Sequence, residues 1–522
     1  MKIVIVGAGK VGELLCRDLS LEGNDIILIE QDVKILEKIL ANNDIMGFVG
    51  SGVSYDAQME AEVPKADVFI AVTEKDEINI IASVIAKKLG AKYTIARVRS
   101  TDYSSQLNFM TESLGIDLVI NPELEAAKDI KQNIDFPEAL NVENFLDGRL
   151  KLVEFHIDKG SILDNVSLFD FKQKFFPNLL VCIIKRDEQI IIPSGNSFIK
   201  GDDRIYITGS NSEIIKFQDA LGKDRRKIKS AFIIGAGIIS HYLAEELLKS
   251  VISAGRDDAW VHSELGYCLS ELNKLEEALE HYFRAKELGR NDSWIYSQIG
   301  WTYRLLGKYQ EALEAHFKAQ ELGQDDIWLN VEIGLCYKEL EKYEEAIKYY
   351  LIANKKAKDK NVWLLSDMAW VYGVIGNYDE ELKYLEKAKK LGRDDSWIYA
   401  EYGKVYYKLE QYEKGLEFFA KAQELGQNDA WINVQIARCY KDLEKNEDAL
   451  KAYLKAEEFE ENDGWLLSEI AWLYDGMGKY KEGLKYLKRV EKLGRDDCWF
   501  NTEYGFCLMR MQKYDKAIEK YK

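Results

Sequence analysis

The chain has 522 residues, a length that favours several domains over one, and a formal net charge of -18 at pH 7. An acidic balance of this size argues against a nucleic-acid partner, because a duplex-binding surface needs cations that displace counterions from phosphate. Seven Cys without a CxxC pair indicate reduced thiols, and no apolar run approaches the ~18 residues that a membrane helix needs. We therefore expect a soluble, cytosolic chain.

The composition changes near residue 250. All 11 Trp lie at or after residue 260, whereas all five Pro lie at or before residue 193. The two parts of the chain therefore pack their side chains differently and belong to different architectures. We expect an α/β architecture before this point and an all-α array after it.

The first predicted elements are a strand, a turn and a helix. KIVIVG is a continuous apolar run, and GAGKVGELLCRDLSLEG after it carries glycines and then apolar residues at helical spacing. In such a motif Gly7 makes the tight turn, Gly9 lets the backbone approach a pyrophosphate, and Gly12 lets the helix pack closely on the strand. The helix N-terminus then faces the phosphates.

The second predicted strand, NDIILIEQD, reaches Glu30, where a carboxylate can accept hydrogen bonds from ribose hydroxyls. Because a carboxylate at this position repels a 2′-phosphate, NAD(H) is favoured over NADP(H). Further strands are predicted at IMGFVG, DVFIAV, YTIARV and DLVIN, with helical stretches between them. The sequence thus predicts a Rossmann-like domain that binds NAD(H) or another adenine nucleotide.

The first half offers few groups for catalysis. No Tyr in residues 1–250 is followed four positions later by Lys, the commonest acid arrangement of dehydrogenases. His156 lies in a strand-like run and His241 on the first turn of a helix, and we interpret both as structural. Only about 85 residues separate Pro137 from the linker GKDRRKIKS, too few for a substrate domain. We assign no catalytic residue and no metal ligand, and keep an oxidoreductase as a third alternative.

These motifs resemble the regulator-of-potassium-conductance (RCK) modules, and within them the TrkA family of NAD-binding peripheral subunits of the Trk potassium-uptake system. The likeness lies in MKIVIVGAGKVGELL, Glu30, VGSGVSYDAQMEAEVPKADVFIAVTEKDEINIIAS, IARVRS and LVINPELEAA.

The resemblance, together with the glycine-rich motif, implies a set of cofactor-binding residues: Gly7, Ala8, Gly9, Lys10, Val11, Gly12, Glu30, Thr73, Glu74 and Arg97. Residues 7–11 would line the phosphates, Glu30 the ribose, Thr73 and Glu74 the adenosine side, and Arg97 the phosphate or ribose region. From spacing alone, a surface ion pair explains Arg97 equally well.

Residues 141–222 resemble the small C-terminal α/β module of the same family, which the turn GDDRIYI marks. The resemblance implies an RCK N-terminal domain over residues 1–137 and an RCK C-terminal domain over residues 141–222. It also implies homo-oligomeric rings, a Trk-type potassium-transporting membrane subunit as partner, and a cytoplasmic location at the inner face of the cell membrane.

FIIGAGIISHYLAEELLKS looks like the truncated start of a second Rossmann domain, which we assign to residues 228–250. No second strand follows its helix. Asp258 lies where a ribose-binding acid would be due, but GRDD followed by one residue and Trp recurs at 392–397 and 494–499, so Asp258 belongs to the later pattern.

The second half repeats, with Trp at 260, 294, 328, 363, 397, 431, 465 and 499, spaced 34 apart except for one interval of 35. This period predicts a helical solenoid, and the units resemble tetratricopeptide (TPR) repeats without the usual Pro. We assign about eight repeats to residues 251–522, the last incomplete and without a capping helix. WLLSDMAW and WLLSEIAW, at 363 and 465, indicate a longer period of about 102 residues.

Arrays of this kind bind peptides or proteins on a concave face. Further Trp residues at 301, 370 and 472 are expected on first helices toward that face. The alternative is that these side chains belong to the core.

We predict an NAD(H)-binding regulatory subunit that controls potassium uptake through a separate membrane transporter, with a repeat array that binds an unknown protein or peptide. The alternative is a TPR adaptor with a passive nucleotide-binding domain. Because both partial units meet near residue 250, we also expect two incomplete proteins joined by recombination or by a sequence-assembly error.

Overall fold

The computed structural model describes residues 1–100, 103, 107–145, 150–187, 189–221, 230–235 and 237–521. They belong to two compact units, residues 1–291 and residues 292–522. Most of the predicted linker GKDRRKIKS lies outside the described residues, as do Ala236 and Lys522.

The first unit begins with strands and helices that alternate along the chain. The strands pair in parallel and are rich in Val and Ile, as expected of strands covered on both faces. They are β1 (Lys2–Val6), β2 (Asp25–Glu30), β3 (Met46–Val49), β4 (Val68–Ala71), β5 (Tyr93–Arg97) and β6 (Leu118–Ile120). The helices are Lys10–Leu21, Val33–Leu40, Tyr55–Glu60, Asp76–Leu89, Leu107–Glu112 and Pro122–Asp135, with a 3₁₀ turn at Val63–Lys65.

The strand order of this sheet, β3-β2-β1-β4-β5-β6, reverses at β1. The chain runs outward from β1 to β3 and then returns to place β4 on the other side of β1. At such a reversal the loops that follow the two neighbouring strands diverge and leave a crevice at the carboxyl edge of the sheet. The predicted Rossmann-like fold is confirmed.

A smaller antiparallel domain follows in the same unit. Its main sheet has the order β11-β10-β13-β8-β7, and β9 pairs with β12. The strands are β7 (Ala139–Phe145), β8 (Leu150–His156), β9 (Val166–Ser167), β10 (Leu180–Arg186), β11 (Gln189–Ile191), β12 (Phe198–Ile199) and β13 (Arg204–Gly209). Its helical segments are Leu168–Asp170, Phe171–Phe175 and Asn211–Ala220.

The GDDRIYI turn is fixed by a buried ion pair. Arg186 Nε and Nη2 each donate to the carboxylate of Asp203 at 2.7 Å, and the Lys200 N–H donates to the same group at 2.7 Å. Asp203 is fully buried, so this turn is anchored to β10. The acidic residue of the motif therefore has a structural role in this domain.

The predicted start of a second Rossmann domain is only partly correct. Residues 230–235 form no strand, and the side chains of Phe232 and Ile234 are 90% and 87% exposed. The physical reason is the lack of a neighbouring strand among the described residues, without which an isolated strand has no partner for its backbone hydrogen bonds. The helix after them, Ile238–Ser253, does form.

This helix, which we call the bridging helix, packs against both Pro122–Asp135 of the nucleotide domain and Ala259–Glu271 of the first repeat. Ala127, Tyr242, Leu243 and Leu272 form a shared buried apolar cluster. The bridging helix is thus common to the two folds.

The C-terminal end of the bridging helix has the geometry of a repeat. Gly255, in the first GRDD turn, has φ +94°, and Gly289 at the next repeat boundary has φ +101°. The buried Glu245 on the bridging helix accepts hydrogen bonds from Lys249 and Lys274 at 2.7 and 2.6 Å. The bridging helix therefore takes the place of the second helix of a preceding repeat.

Helix pairs make up the rest of the described chain and confirm the predicted TPR-like solenoid. Repeat 1, in the first unit, consists of Ala259–Glu271 and Leu275–Glu287. The later pairs, numbered repeats 2 to 8, are Ser293–Leu305 with Tyr309–Glu321, Ile327–Glu339 with Tyr343–Ala357, Val362–Val374 with Tyr378–Lys390, Ser396–Lys408 with Tyr412–Glu424, Ala430–Asp442 with Asn446–Glu457, Gly464–Gly476 with Tyr480–Lys492, and Cys498–Arg510 with Tyr514–Tyr521.

The acidic residues at the repeat boundaries are helix N-caps. Asp292 accepts the N–H of Ile295 at 2.9 Å, which satisfies one of the free donors of a helix start. The same side-chain cap occurs at the start of the other first helices, at Asp258, Asp326, Asn361, Asp395, Asp429, Asp463 and Asp497. Removing one cap would cost about 1 kcal/mol.

Aromatic rings of the second helices pack directly against glycines of the first helices. A Cβ on Gly334 would lie 2.4 Å from the ring of Tyr350, so this contact requires glycine. The same pairing, 16 positions apart, occurs for Gly266 with Tyr282, Gly300 with His316, Gly403 with Phe419 and Gly505 with Tyr521. In the described part of the chain, none of the helices is long and apolar enough to cross a membrane.

Candidate functional site

The turn after β1 brings the backbone close to two neighbouring segments. Gly7 has φ +99°, and a Cβ on it would lie 2.9 Å from the backbone N of Thr73. A Cβ on Gly12 would lie 1.9 Å from the Gly7 carbonyl oxygen. At Gly9, by contrast, the described chain places no atom within 4 Å of a Cβ position. Two glycines are therefore required by packing, whereas the third faces open space.

Helix Lys10–Leu21 begins at this open space, with Gly9 as its N-cap and no side-chain cap. The N–H groups of a first helical turn point outward, and the helix dipole places partial positive charge there. The exposed Lys10 adds a full positive charge. This end of the helix favours an anion such as a phosphate.

The Glu30 carboxylate joins the end of β2 to the glycine-rich turn. Its Oε2 accepts the Ala8 N–H at 2.7 Å, and its Oε1 accepts the N–H groups of Gln31 and Asp32 at 2.7 and 3.0 Å. A carboxylate has about four acceptor positions, so these three bonds leave one for a hydroxyl group. The side chain is held in place and is partly exposed.

A buried amide, Asn79, joins the loop after β4 to the last residue of β5. Its Oδ1 accepts the N–H and the hydroxyl of Thr73, both at 2.8 Å. Its Nδ2 donates to the carbonyls of Thr73 and Arg97 at 3.1 and 2.9 Å. Sequence reasoning missed Asn79, although a polar residue on the apolar face of INIIAS was an available signal.

Two arginines lie at the carboxyl end of β5, since Arg97 is its last residue and Arg99 follows it. Arg97 Nη2 donates to Glu123 Oε1 at 2.7 Å, and both side chains are largely buried. The guanidinium of Arg99 donates to the Glu74 carbonyl, and its backbone N–H donates to Asp76 Oδ2 at 2.9 Å. Arg97 is thus the partner of Glu123 in a largely buried ion pair, and it also lines the cavity.

These segments enclose a cavity of about 640 Å³, within the range of small-molecule sites. The cavity is lined by most of the residues that the sequence singled out: Gly7, Ala8, Gly9, Lys10, Val11, Glu30, Thr73, Glu74 and Arg97. Gly12 is not among the lining residues, because it packs behind the turn against Gly7. Lining residues that sequence reasoning missed include Gln31, Lys75 and Arg99.

The two histidines of the first half lie elsewhere. His156 is on β8 of the smaller domain, where its Nε2 is 3.7 Å from Asp158 Oδ1. His241 is on the bridging helix, with its ring centroid 6.2 Å from that of Tyr267. Neither side chain lines the cavity at the sheet edge.

The fold and the crevice define a Rossmann-type nucleotide-binding domain that is followed by a small antiparallel domain and a repeat array. Comparison with known families gives the same division. The family model of the TrkA-N domain matches residues 3–122, and that of the TrkA-C domain matches residues 152–222. The tetratricopeptide repeat model matches residues 329–353, 398–429 and 432–463.

Curated proteins are similar to the first half of the chain. The Trk system potassium uptake protein TrkA homolog of Archaeoglobus fulgidus is 32% identical over 254 residues, which cover 48% of this chain and 57% of that protein. Trk system potassium uptake protein trkA homolog 1 of Methanosarcina mazei is 30% identical over 286 residues, 53% of this chain and 68% of that protein. TrkA of Halomonas elongata is 34% identical over 251 residues, 47% of this chain and 55% of that protein.

The chain belongs to the TrkA family. It spans somewhat more than half of the length of the Archaeoglobus and Halomonas proteins, 57% and 55%. Among solved structures, a tetratricopeptide repeat protein from Parabacteroides merdae is similar at 16% identity over 51% of this chain and 99% of that chain, with a TM-score of 0.37. That likeness is too distant to indicate a function.

Proposed function

We propose that the chain binds NAD(H) in the crevice of its first domain and that this binding regulates potassium uptake through a separate membrane transporter. The observation that carries the proposal is the arrangement of the glycine-rich turn and Glu30 around one cavity, in a chain of the TrkA family. In this role NAD(H) supplies binding free energy, and no bond is made or broken.

The phosphate end of the proposed site is the start of helix Lys10–Leu21. Open space at the Cβ position of Gly9 lets the backbone approach a pyrophosphate. The helix N-terminus and Lys10 supply positive charge, and the cavity is also lined by Arg97 and Arg99. This distribution suits a ligand with two neighbouring phosphates.

The ribose end of the proposed site is Glu30, whose remaining acceptor position would take a hydroxyl group. A 2′-phosphate would meet the negative charge of this carboxylate, so NAD(H) would bind better than NADP(H). Thr73 and Glu74 would lie on the adenosine side of the same cavity.

Tight binding of NAD(H) would not by itself regulate a transporter. A ligand shifts a conformational equilibrium only by the difference between its affinities for the two states. We propose that the RCK-like domains assemble into a homo-oligomer at the inner face of the membrane, that NAD(H) favours one of its conformations, and that a Trk-type potassium transporter responds to that conformation. The repeat array has a protein-binding role in the same proposal.

Isothermal titration calorimetry of the full chain with NADH, NADPH and ATP tests the nucleotide step. We expect NADH to bind most tightly, and Gly9→Ala to weaken it at least tenfold because the methyl group enters the phosphate space. Gly195→Ala is a matched control, since its Cβ position in the smaller domain is also open. Equal binding of NADH by the Gly9→Ala and parent proteins would refute the proposed site.

Potassium uptake in source cells that lack the gene tests the regulatory step. Cells complemented with the parent gene should regain normal uptake, whereas cells with Gly9→Ala should not, because the ligand can no longer select a conformation. Full recovery by Gly9→Ala would leave the adaptor function, with a passive nucleotide-binding domain, as the better account.

A further inference from the structure

Two of the five histidines of the chain meet in repeat 1. His262 is on the first helix of the repeat, Ala259–Glu271, and His281 is on the second, Leu275–Glu287. Their Nδ1 atoms are 2.8 Å apart, and His262 is buried. This histidine pair is therefore a partly buried link between the two helices of the repeat.

The two imidazole rings of the pair face each other edge to edge. Their centroids are 5.0 Å apart and their planes are inclined by 25°. The 2.8 Å between the Nδ1 atoms is close to the least that two such rings can have at this centroid separation, so both nitrogens lie on the line between the centroids. A zinc ion in line between them would need a separation of about 4 Å. The gap therefore suits a shared proton.

The hydrogen-bond network assigns the protons of the pair. One N–H and one lone pair attract each other across the gap, whereas two lone pairs or two N–H groups repel. His262 Nε2 is 2.6 Å from Asp257 Oδ1, and Arg284, 2.6 Å from Asp257, is the main cause of the lowered pKa of that carboxyl. Because an ionised carboxylate only accepts, His262 Nε2 carries a proton. When both rings are neutral, His281 Nδ1 is therefore the donor and His262 Nδ1 the acceptor.

An added proton can enter the neutral pair at His281 Nε2 without breaking the contact between the rings. A further proton would have to enter the gap and would break it. Burial lowers the pKa of His281, and His262 and Lys249 lower it further. Glu280 and Glu277 have the opposite, smaller effect. The closed pair therefore resists protons that free histidines would accept.

The closed form of repeat 1 should lose stability in acid. Free histidines take up protons as the pH falls through about 6.5, whereas the closed pair takes up fewer because the pKa of His281 is lowered. An opened repeat gains the protons that the closed pair excludes, so the equilibrium moves towards opening as the pH falls below about 6.5. Above that range both rings are neutral and the stability is fully present.

The TPR-like fold does not require the histidine pair. The equivalent positions hold Tyr399 and Phe418 in repeat 5, with ring centroids 6.3 Å apart, and Leu467 and Tyr486 in repeat 7. None of repeats 2 to 8 has a histidine at either position. The pair is thus a feature of the one repeat that adjoins the bridging helix.

The bridging helix packs against the first helix of repeat 1 and against the nucleotide domain. Lys249 of the bridging helix, whose charge acts on His281, donates to Glu245 at 2.7 Å. Glu245 also accepts a hydrogen bond at 2.6 Å from Lys274, which precedes the second helix of repeat 1. Opening of repeat 1 would therefore remove both packing and an ion pair from the bridging helix.

We propose that the histidine pair is a pH-sensitive switch, closed at neutral pH and opened by acid, that controls how firmly repeat 1 holds the bridging helix. At neutral pH the shared proton joins the two helices of the repeat. In acid both rings carry a positive charge, repel each other and release the helices. This regulation goes beyond the proposed nucleotide binding and does not depend on it.

Hydrogen exchange of the full chain tests the switch when it is measured by mass spectrometry at pH 7.5 and pH 5.5 and corrected for the intrinsic exchange rates. Repeat 5, residues 396–424, is an internal reference because it contains no histidine. We expect the protection of residues 259–287 to fall about tenfold relative to this reference, since exclusion of one proton from a group with an ordinary pKa of 6.5 gives that factor at pH 5.5. Residues 238–253 should lose protection as well.

His262→Leu with His281→Tyr removes the pair and recreates the residues of repeat 7. This variant should match the parent at pH 7.5 and should keep its relative protection at pH 5.5. His262→Tyr with His281→Phe, the residues of repeat 5, is a second version with the same expected result. His156→Gln is the control, because it removes a histidine of the smaller domain and should leave the tenfold loss unchanged.

NADH titration of all these variants at pH 7.5 should match the parent, so a failure of the switch and a failure of the nucleotide site are distinguishable. Three results would overturn the inference. The first is equal relative protection of residues 259–287 at the two pH values, and the second is an undiminished loss in both double variants. The third is zinc chloride binding in calorimetry that both double variants abolish, because the gap would then be a metal site.

Discussion

The hydroxyl of Tyr242 on the bridging helix accepts a hydrogen bond from the side-chain amide of Asn121 at 3.1 Å. The same Asn121 Nδ2 donates to the carbonyl of Arg99, a residue of the nucleotide crevice, at 3.3 Å. Asn121 Oδ1 caps the next helix by accepting the Leu124 N–H at 3.0 Å. One amide thus connects the crevice, helix Pro122–Asp135 and the bridging helix.

This connection changes the interpretation of the junction near residue 250. Two unrelated incomplete proteins would not be expected to share a buried cluster, yet Ala127 of the nucleotide domain and Leu272 of repeat 1 both pack around Tyr242 and Leu243. The bridging helix therefore gives the nucleotide domain and the first repeat a common core.

Tyr242→Phe removes only the hydroxyl of this connection. We expect faster hydrogen exchange in the bridging helix, equivalent to about 1 kcal/mol, because one buried hydrogen bond is lost and the ring still fills its place. Mass spectrometry of peptides from residues 238–253 measures this exchange. Tyr55→Phe is the control, since Tyr55 is 59% exposed. Unchanged exchange in Tyr242→Phe would mean that the bond contributes nothing.

The sequence alone was sufficient to predict those elements whose geometry depends on residues close together in the chain. The glycine-rich turn, Glu30 and the Trp period each follow from short-range geometry, and the structure places them as such rules require. Arg99 and Asn79 could not be identified in this way, because their positions depend on where separate loops meet. The strand expected at residues 230–235 did not form for a related reason. A strand needs a neighbouring strand, and the local sequence does not specify one.

Gly12→Ala should destabilise the nucleotide domain without any ligand present. The added methyl group would lie 1.9 Å from the Gly7 carbonyl oxygen, so the helix must move away from the turn. Overpacking of this kind costs roughly 1–3 kcal/mol. Hydrogen exchange of residues 2–21 measures the loss, and Gly9→Ala, which meets open space, should leave the exchange unchanged. Equal exchange of residues 2–21 in Gly12→Ala and Gly9→Ala would contradict a packing requirement at Gly12.

His316→Phe should stabilise the repeat array. Neither ring nitrogen of the buried His316 has a hydrogen-bond partner among the described residues, and Phe419 occupies the corresponding position of repeat 5. Removing unsatisfied buried polar atoms should gain about 1–2 kcal/mol. Urea unfolding followed by tryptophan fluorescence reports the array alone, because all Trp lie at or after residue 260.

The gain from His316→Phe should grow in acid. Burial lowers the pKa of His316 to about 3, so the folded array keeps a neutral ring while the unfolded chain takes up a proton below its ordinary pKa of 6.5. The parent array therefore loses stability as the pH falls from about 6.5 towards 3, and phenylalanine removes that loss. An equal difference between the two proteins at pH 5 and pH 7.5 would contradict this account.

Asp475→Asn should stabilise the array at neutral pH. Burial raises the pKa of Asp475 from 3.8 to about 6, and its Oδ1 has no partner among the described residues. A raised pKa means that the folded state prefers the protonated acid, so stability is greatest below about 4 and falls as the pH rises to about 6. At pH 7.5 the variant should gain up to about 3 kcal/mol. Asp448→Asn, at an exposed site, is the control.

Repeats 4 and 7 carry an acid and a glycine at the same two positions, but in exchanged order. In repeat 4 the first helix has Gly373, and a Cβ there would lie 2.4 Å from the buried carboxylate of Glu381 on the second helix. In repeat 7 the acid is on the first helix, Asp475, and the glycine is on the second, Gly483, with a Cβ position 2.2 Å from the Asp475 carboxylate. Each repeat thus has room for one acid, which either helix can supply.

Gly373→Asp alone should therefore destabilise the array by more than about 3 kcal/mol, because it forces two acids into one buried space. Adding Glu381→Gly recreates the arrangement of repeat 7 and should restore most of the loss. Lys404, 3.7 Å from Glu381 in the parent chain, remains available to balance the charge. A double-mutant cycle in urea gives the coupling energy between the two positions, and additive effects of the two substitutions would show that the acids do not compete for one space.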